Sequence, residues 1–280
     1  MERLRLTPAR AWILVVGGLM VAALVAAGTL NLASWLGRIT EVQHAAYRPS
    51  GDRLTLSTSS GDIRLVGDSG DTVRVTTTIR YGLWKPTVNN TSGPDGIRLD
   101  AHCHNFDGYC DVSYQILMPR GLNVDLSTSS GNVNLARVTG DVVVKASSGD
   151  LVLADLSGAT VTGSTSSGNI KVANVTSSQV SVQTKSGDVR GIDLANRQLA
   201  ARTSSGNITL TLATLPDAVT ARASSGDISV AVPPSEDGYQ VTSSTSSGDS
   251  TIKVPRNDLS ARHLDLHTSS GNIRVTPTSG

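Results

Sequence analysis

Residues 203–210 read Thr-Ser-Ser-Gly-Asn-Ile-Thr-Leu, and close copies of this stretch recur along the chain. The shared core is Ser-Ser-Gly followed by Asp or Asn, and it appears once as Lys-Ser-Gly-Asp. Its glycine stands at Gly61, Gly131, Gly149, Gly168, Gly187, Gly206, Gly226, Gly248 and Gly271. From Gly131 onward the spacings are 18, 19, 19, 19, 20, 22 and 23 residues. A period of about 20 residues is too short for paired helices and predicts one β-coil per repeat.

The residues around each glycine indicate which way the side chains point. In most copies the residues two and four positions after the glycine are apolar, as at Ile208 and Leu210, and this period-two alternation places them inside. Thr or Ala stands three positions before the glycine and Ser directly before it, and by the same parity we expect both to face inward. The inward positions are odd-numbered steps before the glycine and even-numbered steps after it, so the alternation reverses across Gly-Asp/Asn. This dipeptide is therefore predicted to be a corner between two strands, since glycine accepts positive φ and Asp or Asn tolerates it.

These patterns predict an all-β fold, a single-stranded parallel β-solenoid with about one coil per 19–20 residues over residues 121–280. The rhythm is broken ahead of Gly131, because the preceding repeat glycine lies 70 residues earlier. Three strand-like runs lie in between, at residues 72–81, 97–103 and 110–118. We expect them to form an antiparallel meander near the N-terminal end, which with the first repeat makes up residues 51–120 and caps the solenoid. At the other end, Pro277 is expected to blunt the edge.

The N-terminal region predicts a single transmembrane helix. No charge occurs between Arg10 and Arg38, and a helix over residues 12–36 would be about 37 Å long, enough to cross a bilayer. Three arginines precede it, so the positive-inside rule places residues 1–11 in the cytoplasm and the chain after about residue 38 outside. Residues 37–50 are then expected to be a linker. The open alternative is a signal peptide cleaved near residues 25–27, which would leave a secreted protein.

Composition argues against several functions. One Phe, three Trp and five Tyr stand against 27 Gly, which predicts a thin core. The net charge of +1, with both signs interspersed, gives no footprint for nucleic acid. Asp is spread over the corners, aromatic residues that would stack on sugars are scarce, and no serine stands in a nucleophile elbow. We therefore expect no enzyme, no catalytic residues and no cofactor.

Cys103 and Cys110 are the two cysteines of the chain, with six residues between them. Outside the cytoplasm, a disulfide that staples a hairpin is the predicted state. A zinc site built from these cysteines with His102 and His104 is the alternative, which strand alternation disfavours because Cys103 would point away from both histidines. The Asp/Asn column after the glycines suggests a calcium ladder, but its mixture of Asp and Asn fits turn chemistry better. We therefore expect no metal.

The tandem pattern apolar-x-Thr-x-Ser-Gly-Asp/Asn-Ile/Val-x-Leu/Val, as at residues 165–172, resembles a widespread family of bacterial β-strand-repeat proteins. Residues 118–124, which precede the repeat of Gly131, are similar to that family's junction into its repeats. The resemblance covers roughly residues 50–276. It implies the solenoid fold and an N-terminal transmembrane segment; members are of unknown function and are often labelled adhesins.

Two functions are compatible with the sequence. The first is a non-catalytic extracytoplasmic scaffold or adhesin-like module that binds envelope or surface ligands, such as cell-envelope glycan. The second is the ectodomain of a membrane-bound structural or signalling protein that binds a neighbouring membrane protein through the meander at residues 72–119. The second rests on the aromatic residues of that region, because aromatic side chains are enriched in interface hot spots. Its candidate contacts are Trp84, Phe106 and Tyr109.

Overall fold

The computed structural model describes residues 38–103 and 109–278. The predicted transmembrane helix at residues 12–36 and the basic segment at residues 1–11 lie outside this part of the chain. Within it, no helix is long and apolar enough to cross a membrane. The regular structure that is described consists of 23 strands, which form a twelve-stranded sheet and an eleven-stranded sheet, called sheet A and sheet B below.

In chain order the strands are β1 (Ile39–Tyr47), β2 (Arg53–Ser60), β3 (Ile63–Asp68), β4 (Val73–Tyr81), β5 (Thr87–Gly93), β6 (Gly96–His102), β7 (Cys110–Pro119), β8 (Asn123–Ser130), β9 (Val133–Ala136), β10 (Val142–Ser148), β11 (Leu151–Leu156), β12 (Thr160–Ser167), β13 (Ile170–Val175), β14 (Gln179–Ser186), β15 (Val189–Leu194), β16 (Gln198–Ser205), β17 (Ile208–Leu212), β18 (Ala218–Ser225), β19 (Ile228–Val232), β20 (Gln240–Ser247), β21 (Ser250–Ile252), β22 (His263–Ser270) and β23 (Ile273–Pro277).

Each repeat contributes one strand to each sheet. In the repeat of Gly206, β16 lies in sheet B, β17 lies in sheet A, and the glycine stands at the corner between them. Equivalent strands of adjacent coils pair in parallel and in register, so that Ile208 lies opposite Ile228. Both residues are fully buried, and the inward side chains of the two sheets form one continuous core. The all-β parallel solenoid predicted from the repeat is confirmed.

The corners need glycine for two reasons. All nine repeat glycines have positive φ, between 120° and 147°, which disfavours a side chain. Each also packs against a neighbouring coil, and a Cβ on Gly187 would lie 2.1 Å from the carbonyl oxygen of Gly168. Thr184, three positions before Gly187, is buried and donates its hydroxyl hydrogen to that same carbonyl at 3.0 Å. The serine directly before the glycine was expected inside, but it is exposed in every repeat except that of Gly61, because the chain is already turning there.

The region ahead of Gly131 differs from the predicted antiparallel meander. β6 pairs in parallel with β2, and β7 pairs in parallel with β3, so β6 and β7 form a further coil outside β2–β3. Antiparallel pairing is confined to the outermost strands, where β5 joins β6 and where β4 lies between β7 and β1. Alternating apolar residues suit parallel and antiparallel pairing equally, so the pattern predicted the strands but not their partners. We call this the first end of the stack.

Residues 37–50, predicted as a linker, contain β1. This strand pairs with β4 over nine residues, from Ile39 opposite Tyr81 to Tyr47 opposite Val73, and forms the edge of sheet A. Its inward positions, which pair with buried residues of β4, include Glu41 and Gln43. These polar residues broke the alternation by which the other strands were recognised.

The last two repeats stack in the reverse of their sequence order. The sheets run β19-β23-β21 and β18-β22-β20, so the coil β22–β23 lies between β18–β19 and β20–β21. β20 and β21 therefore form the open edge at what we call the far end. Pro277 ends β23, which lies between β19 and β21, and it stands opposite Val232 of β19. The expectation that Pro277 blunts the edge is wrong, because β21, and not β23, is the edge strand of sheet A at this end.

Candidate ligand-binding face

The outer face of sheet A carries two rows of aligned side chains. Strand register places Arg64, Lys171, Arg190 and Arg274 in one row, which we call the basic row. With a strand spacing of about 4.8 Å, the seven steps from Arg64 to Arg274 span about 34 Å. Two positions further along the strands lies the apolar lane, which comprises Leu117, Val66, Ala136, Ala154, Ala173 and Ile192. Asn134, Val152, Thr209 and Ser229 occupy the other positions of the row. The face therefore offers an apolar strip beside a row of four spaced cations.

The cations of the basic row are exposed and available. Within the described residues, no carboxylate forms an ion pair with any of the four, whereas Arg197 and Arg262 elsewhere pair with Asp217 and Asp237. Asp155 and Asp193 lie just beyond the apolar lane. On the other side of the basic row, two positions before it, stand the exposed corner aspartates such as Asp188 and Asp227, and Asp227 lines the same shallow pocket as Arg274. The basic row therefore lies between two sets of carboxylates without pairing to either.

A groove of about 530 Å³ opens where this face reaches the first end. Its walls come from β1, β4, β7 and β3 and combine apolar with polar side chains, including His44, Arg64, Arg74, Gln115 and Leu117. Arg74 pairs with Asp68 at 3.0 Å, and His44 Nδ1 lies 3.1 Å from Thr76 Oγ1. Leu117 is 40% exposed in the groove. Such a lining suits a ligand that has both an anionic group and an apolar part.

The outer face of sheet B has a different charge pattern. Arg202, Arg222 and His267 stand on adjacent coils, but Asp265 pairs with Arg222 at 2.5 Å. Asp125 also lies on this face, opposite Thr55. Positive and negative groups are mixed here, and no apolar lane accompanies them.

The Asp/Asn column after the repeat glycines holds the coils together. The side-chain Oδ1 of every member except Asp249, which lies on the last coil, accepts a hydrogen bond from the backbone N–H of its counterpart on the next coil. Asp150 Oδ1, for example, accepts from the Asn169 N–H at 2.7 Å. Both Asp and Asn supply this oxygen, which accounts for the mixture. Among the described residues, no three His, Cys, Asp or Glu side chains are grouped so that they could hold a metal ion.

Along the stack this column alternates strictly between Asp and Asn. It reads Asp62, Asn132, Asp150, Asn169, Asp188, Asn207, Asp227, Asn272 and Asp249. In sequence order Asp227 would be followed by Asp249, and only the reversed stacking of the last two coils restores the alternation. Because coils are about 4.8 Å apart, alternation keeps carboxylates about 10 Å from one another.

The predicted disulfide between Cys103 and Cys110 is present, with Cα atoms 6.0 Å apart. It joins the end of β6 to the start of β7, which is where other coils have the Ser-Ser-Gly-Asp/Asn corner. His102, proposed as a zinc ligand, lies with its Nδ1 atom 3.3 Å from Ser59 Oγ, and His104 lies outside the described residues. The bond therefore replaces the corner motif in the outermost coil.

Two of the three predicted contact residues belong to the described part of the chain. Trp84 follows β4 and is 62% exposed. Tyr109 is half-buried, and the Arg38 guanidinium lies 4.4 Å from the centre of its ring. Phe106 lies outside the described residues. Sequence reasoning missed the basic row and the apolar lane, because their members come from different repeats and align only once the strand register is known.

The fold and its long outer faces define a parallel β-solenoid repeat protein. A family model described as Toastrack DUF4097 matches residues 108–276, more than half of the chain, and the chain belongs to this family. The resemblance to the β-strand-repeat proteins is thereby confirmed. No curated protein matches the chain.

Solved structures share the fold at low sequence identity. A candidate adhesin from Bacteroides fragilis has a TM-score of 0.52 at 12% identity, over 85% of this chain and 97% of its own. A candidate lipid-binding protein from Parabacteroides distasonis has a TM-score of 0.46 at 12% identity, with 85% and 97% covered. A candidate adhesin from the same organism has a TM-score of 0.43 at 14% identity, again with 85% and 97% covered. At such identities the likeness to the Bacteroides fragilis structure concerns the fold alone.

Proposed function

We propose that the protein is a non-catalytic binding module of the cell surface, and that the outer face of sheet A holds an elongated, negatively charged envelope ligand. The observation that carries this proposal is the basic row, whose four cations have no carboxylate partner among the described residues. Their alignment is the distinguishing feature, because exposed cations in one row about 34 Å long suit an extended polyanion. The apolar lane beside it gives a flat surface for close approach.

The same proposal places the protein at the cell membrane. Residues 12–36 anchor it as a single-pass helix, and the solenoid lies outside the cytoplasm. Cleavage near residues 25–27 would instead release it. The disulfide supports an oxidising compartment, since such bonds are rare in the cytosol.

The test is co-sedimentation of the full-length protein, in mild detergent, with insoluble cell-wall material from its own organism. The decisive variant carries Arg64→Gln, Lys171→Gln, Arg190→Gln and Arg274→Gln. We expect saturable pelleting of the wild type that weakens with salt, because ion pairs between the basic row and the ligand are exposed to solvent and screened. The variant lacks the four cations, so its affinity for the cell-wall material should fall at least tenfold.

The matched control removes the same charge from the outer face of sheet B, by Arg98→Gln, Lys145→Gln, Lys185→Gln and Arg202→Gln. It should pellet like the wild type. An equal loss of affinity in both variants would show that binding depends only on the net charge of the protein, and it would overturn the assignment to sheet A. No pelleting of the wild type at low salt would overturn the envelope ligand itself.

Binding of a neighbouring membrane protein through residues 72–119 is the second candidate. Most of that region is core, but Leu83 and Trp84 are 51% and 62% exposed and form a small apolar patch. This patch adjoins Ile39, close to the end of the predicted membrane span. That position favours lipid over protein as its partner.

A further inference from the structure

One corner of the first end brings together the places where three strands begin or end. Ile39 at the start of β1 lies opposite Tyr81 at the end of β4, which lies opposite Cys110 at the start of β7. The Gly82 N–H donates to the Tyr109 carbonyl at 3.0 Å. The described chain therefore begins beside the loop that follows β4.

This corner has an unusual concentration of exposed apolar side chains. Ile39, Leu83 and Trp84 are 49%, 51% and 62% exposed, three of the seven large apolar residues that are exposed in the described chain. Leu83 and Trp84 follow Tyr81, the partner of Ile39, by two and three residues. Val42 is 52% exposed but points to the opposite face of β1. Isolated exposed apolar residues are ordinary, but a group of this kind marks a contact surface.

Cations and an aromatic ring border these apolar residues. The Arg38 guanidinium lies over the ring of Tyr109. Lys85 Nζ lies 2.6 Å from Glu41 Oε2, and this pair fixes the loop of Leu83 and Trp84 against β1. The hydrogen bond from Lys85 lowers the pKa of the Glu41 carboxyl and raises that of Lys85, so both groups stay charged near neutral pH. Trp, Tyr, Lys and Arg are the residues that prefer the boundary between lipid and water.

The predicted membrane span ends close to this corner. From residue 36 to Ile39 there are three Cα–Cα steps, which reach at most about 11 Å when fully extended. Ile39 can therefore not lie farther than this from the point where the span leaves the bilayer. The headgroup region of a bilayer is of comparable thickness, about 5–8 Å on each side.

We propose that the interfacial patch, formed by Ile39, Leu83 and Trp84, rests in the headgroup region of the membrane that holds the span. This inference depends on the proposed membrane anchor. The apolar side chains enter the boundary below the phosphates, and Arg38 and Lys85 lie at phosphate level. The first end of the solenoid then faces the bilayer, and the far end points away from it.

The experiment uses the full-length protein in phosphatidylcholine–phosphatidylglycerol vesicles. Trp12→Phe and Trp35→Phe leave Trp84 as the single tryptophan, since the chain has three. Lipids brominated near the glycerol end of their acyl chains quench a tryptophan that lies in the boundary. We expect the fluorescence emission of Trp84 to be blue-shifted. The brominated lipids should quench most of this fluorescence, and aqueous iodide should quench little of it.

A matched control adds Trp84→Phe and Leu259→Trp to the same background. Leu259 is 94% exposed and lies between β21 and β22, in the far-end part of the chain, so this probe should respond to iodide and not to bromine. Blue-shifted Trp84 emission without bromine quenching would indicate a contact with protein and would overturn the inference. Red-shifted emission that iodide quenches would overturn it as well.

Flotation of the same vesicles after alkaline washing tests the membrane anchor separately from the interfacial patch. Protein that floats while Trp84 stays unquenched by bromine keeps the membrane anchor and loses the interfacial patch. Protein that does not float overturns the anchor, and the patch with it.

Discussion

At the scale of single residues, the Asp/Asn column connects chemistry to stacking order. Each side chain must supply an oxygen to the amide of the next coil, which both Asp and Asn do. Asn also has an amide to donate, and Asn169 Nδ2 lies 3.2 Å from Asp150 Oδ1. An Asp–Asn pair therefore attracts where an Asp–Asp pair would repel. The alternation lets the column contribute hydrogen bonds while its five carboxylates stay about 10 Å from one another.

Asn169→Asp tests this electrostatic explanation. It keeps the acceptor oxygen for Asp188 but creates three aspartates in succession with Asp150 and Asp188. Two repulsions across about 4.8 Å at an exposed site should lower the free energy of unfolding by about 1–2 kcal/mol at neutral pH and low salt. Urea unfolding measured by circular dichroism reports the difference. The deficit should shrink in high salt and at a pH low enough to protonate carboxylates, near pH 3.

Asp188→Asn is the control, because it keeps the acceptor and removes a charge. It should unfold at nearly the wild-type urea concentration. If Asn169→Asp were as stable as the wild type at low salt, charge would not be the reason for the alternation.

At the scale of elements, the coil β6–β7 has a disulfide bond where the other coils have the corner motif. Interior coils turn through Gly-Asp/Asn and are held by neighbours on both sides. β6–β7 has the antiparallel strands β4 and β5 on its outer side, and its corner is closed by the Cys103–Cys110 bond. Each coil contacts only its neighbours, so this end can loosen while the interior stays folded.

Reduction of that bond should destabilise the first end selectively. A cross-link that closes a loop of about eight residues contributes about 2.5 kcal/mol in the chain-entropy model. Hydrogen exchange with and without reductant should show faster exchange in β4, β6 and β7, and unchanged exchange in β14 and β15. Cys103→Ser with Cys110→Ser should reproduce the reduced pattern and be insensitive to reductant. Uniform acceleration along the whole stack would show instead that the molecule unfolds as a single unit.

At the scale of the whole molecule, the order of the coils departs from the order of the chain at both ends. β6–β7 lies outside β2–β3, and β22–β23 lies inside β20–β21. Interior coils follow the sequence, since each new repeat stacks on the one just before it. The second exception places the repeat of Gly271 between two coils that follow one another in the sequence.

Removal of residues 263–280 tests whether the far end depends on this insertion. Without β22–β23, the coil β20–β21 has no partner in register, and direct stacking on β18–β19 would bring Asp249 next to Asp227. We expect amide protection to disappear in β20 and β21 and to fall in β18, as measured by hydrogen exchange, with the full chain as reference. Retained protection in β20 would mean that this coil closes the gap itself.

The sequence predicts the interior well and the ends poorly, for a physical reason. Apolar residues such as Ile208 and Leu210 repeat at fixed distances from each glycine, and stacking identical coils needs no other information. At the ends, β1 has polar inward residues, and β7 pairs with strands on both sides in opposite directions. Alternation identifies a strand but not its neighbour. The basic row could not be predicted for the same reason, because only the strand register shows that Arg64 and Arg274 lie in one row on the same face of sheet A.

The reversed order at the far end also affects how the protein is made. A chain that is synthesised from its N-terminus can stack interior coils one at a time as they emerge. The coil β20–β21 emerges before the coil that separates it from β18–β19, so its strands have no partner until then. Folding of that end is therefore complete only after the repeat of Gly271, the last repeat to be synthesised, has formed.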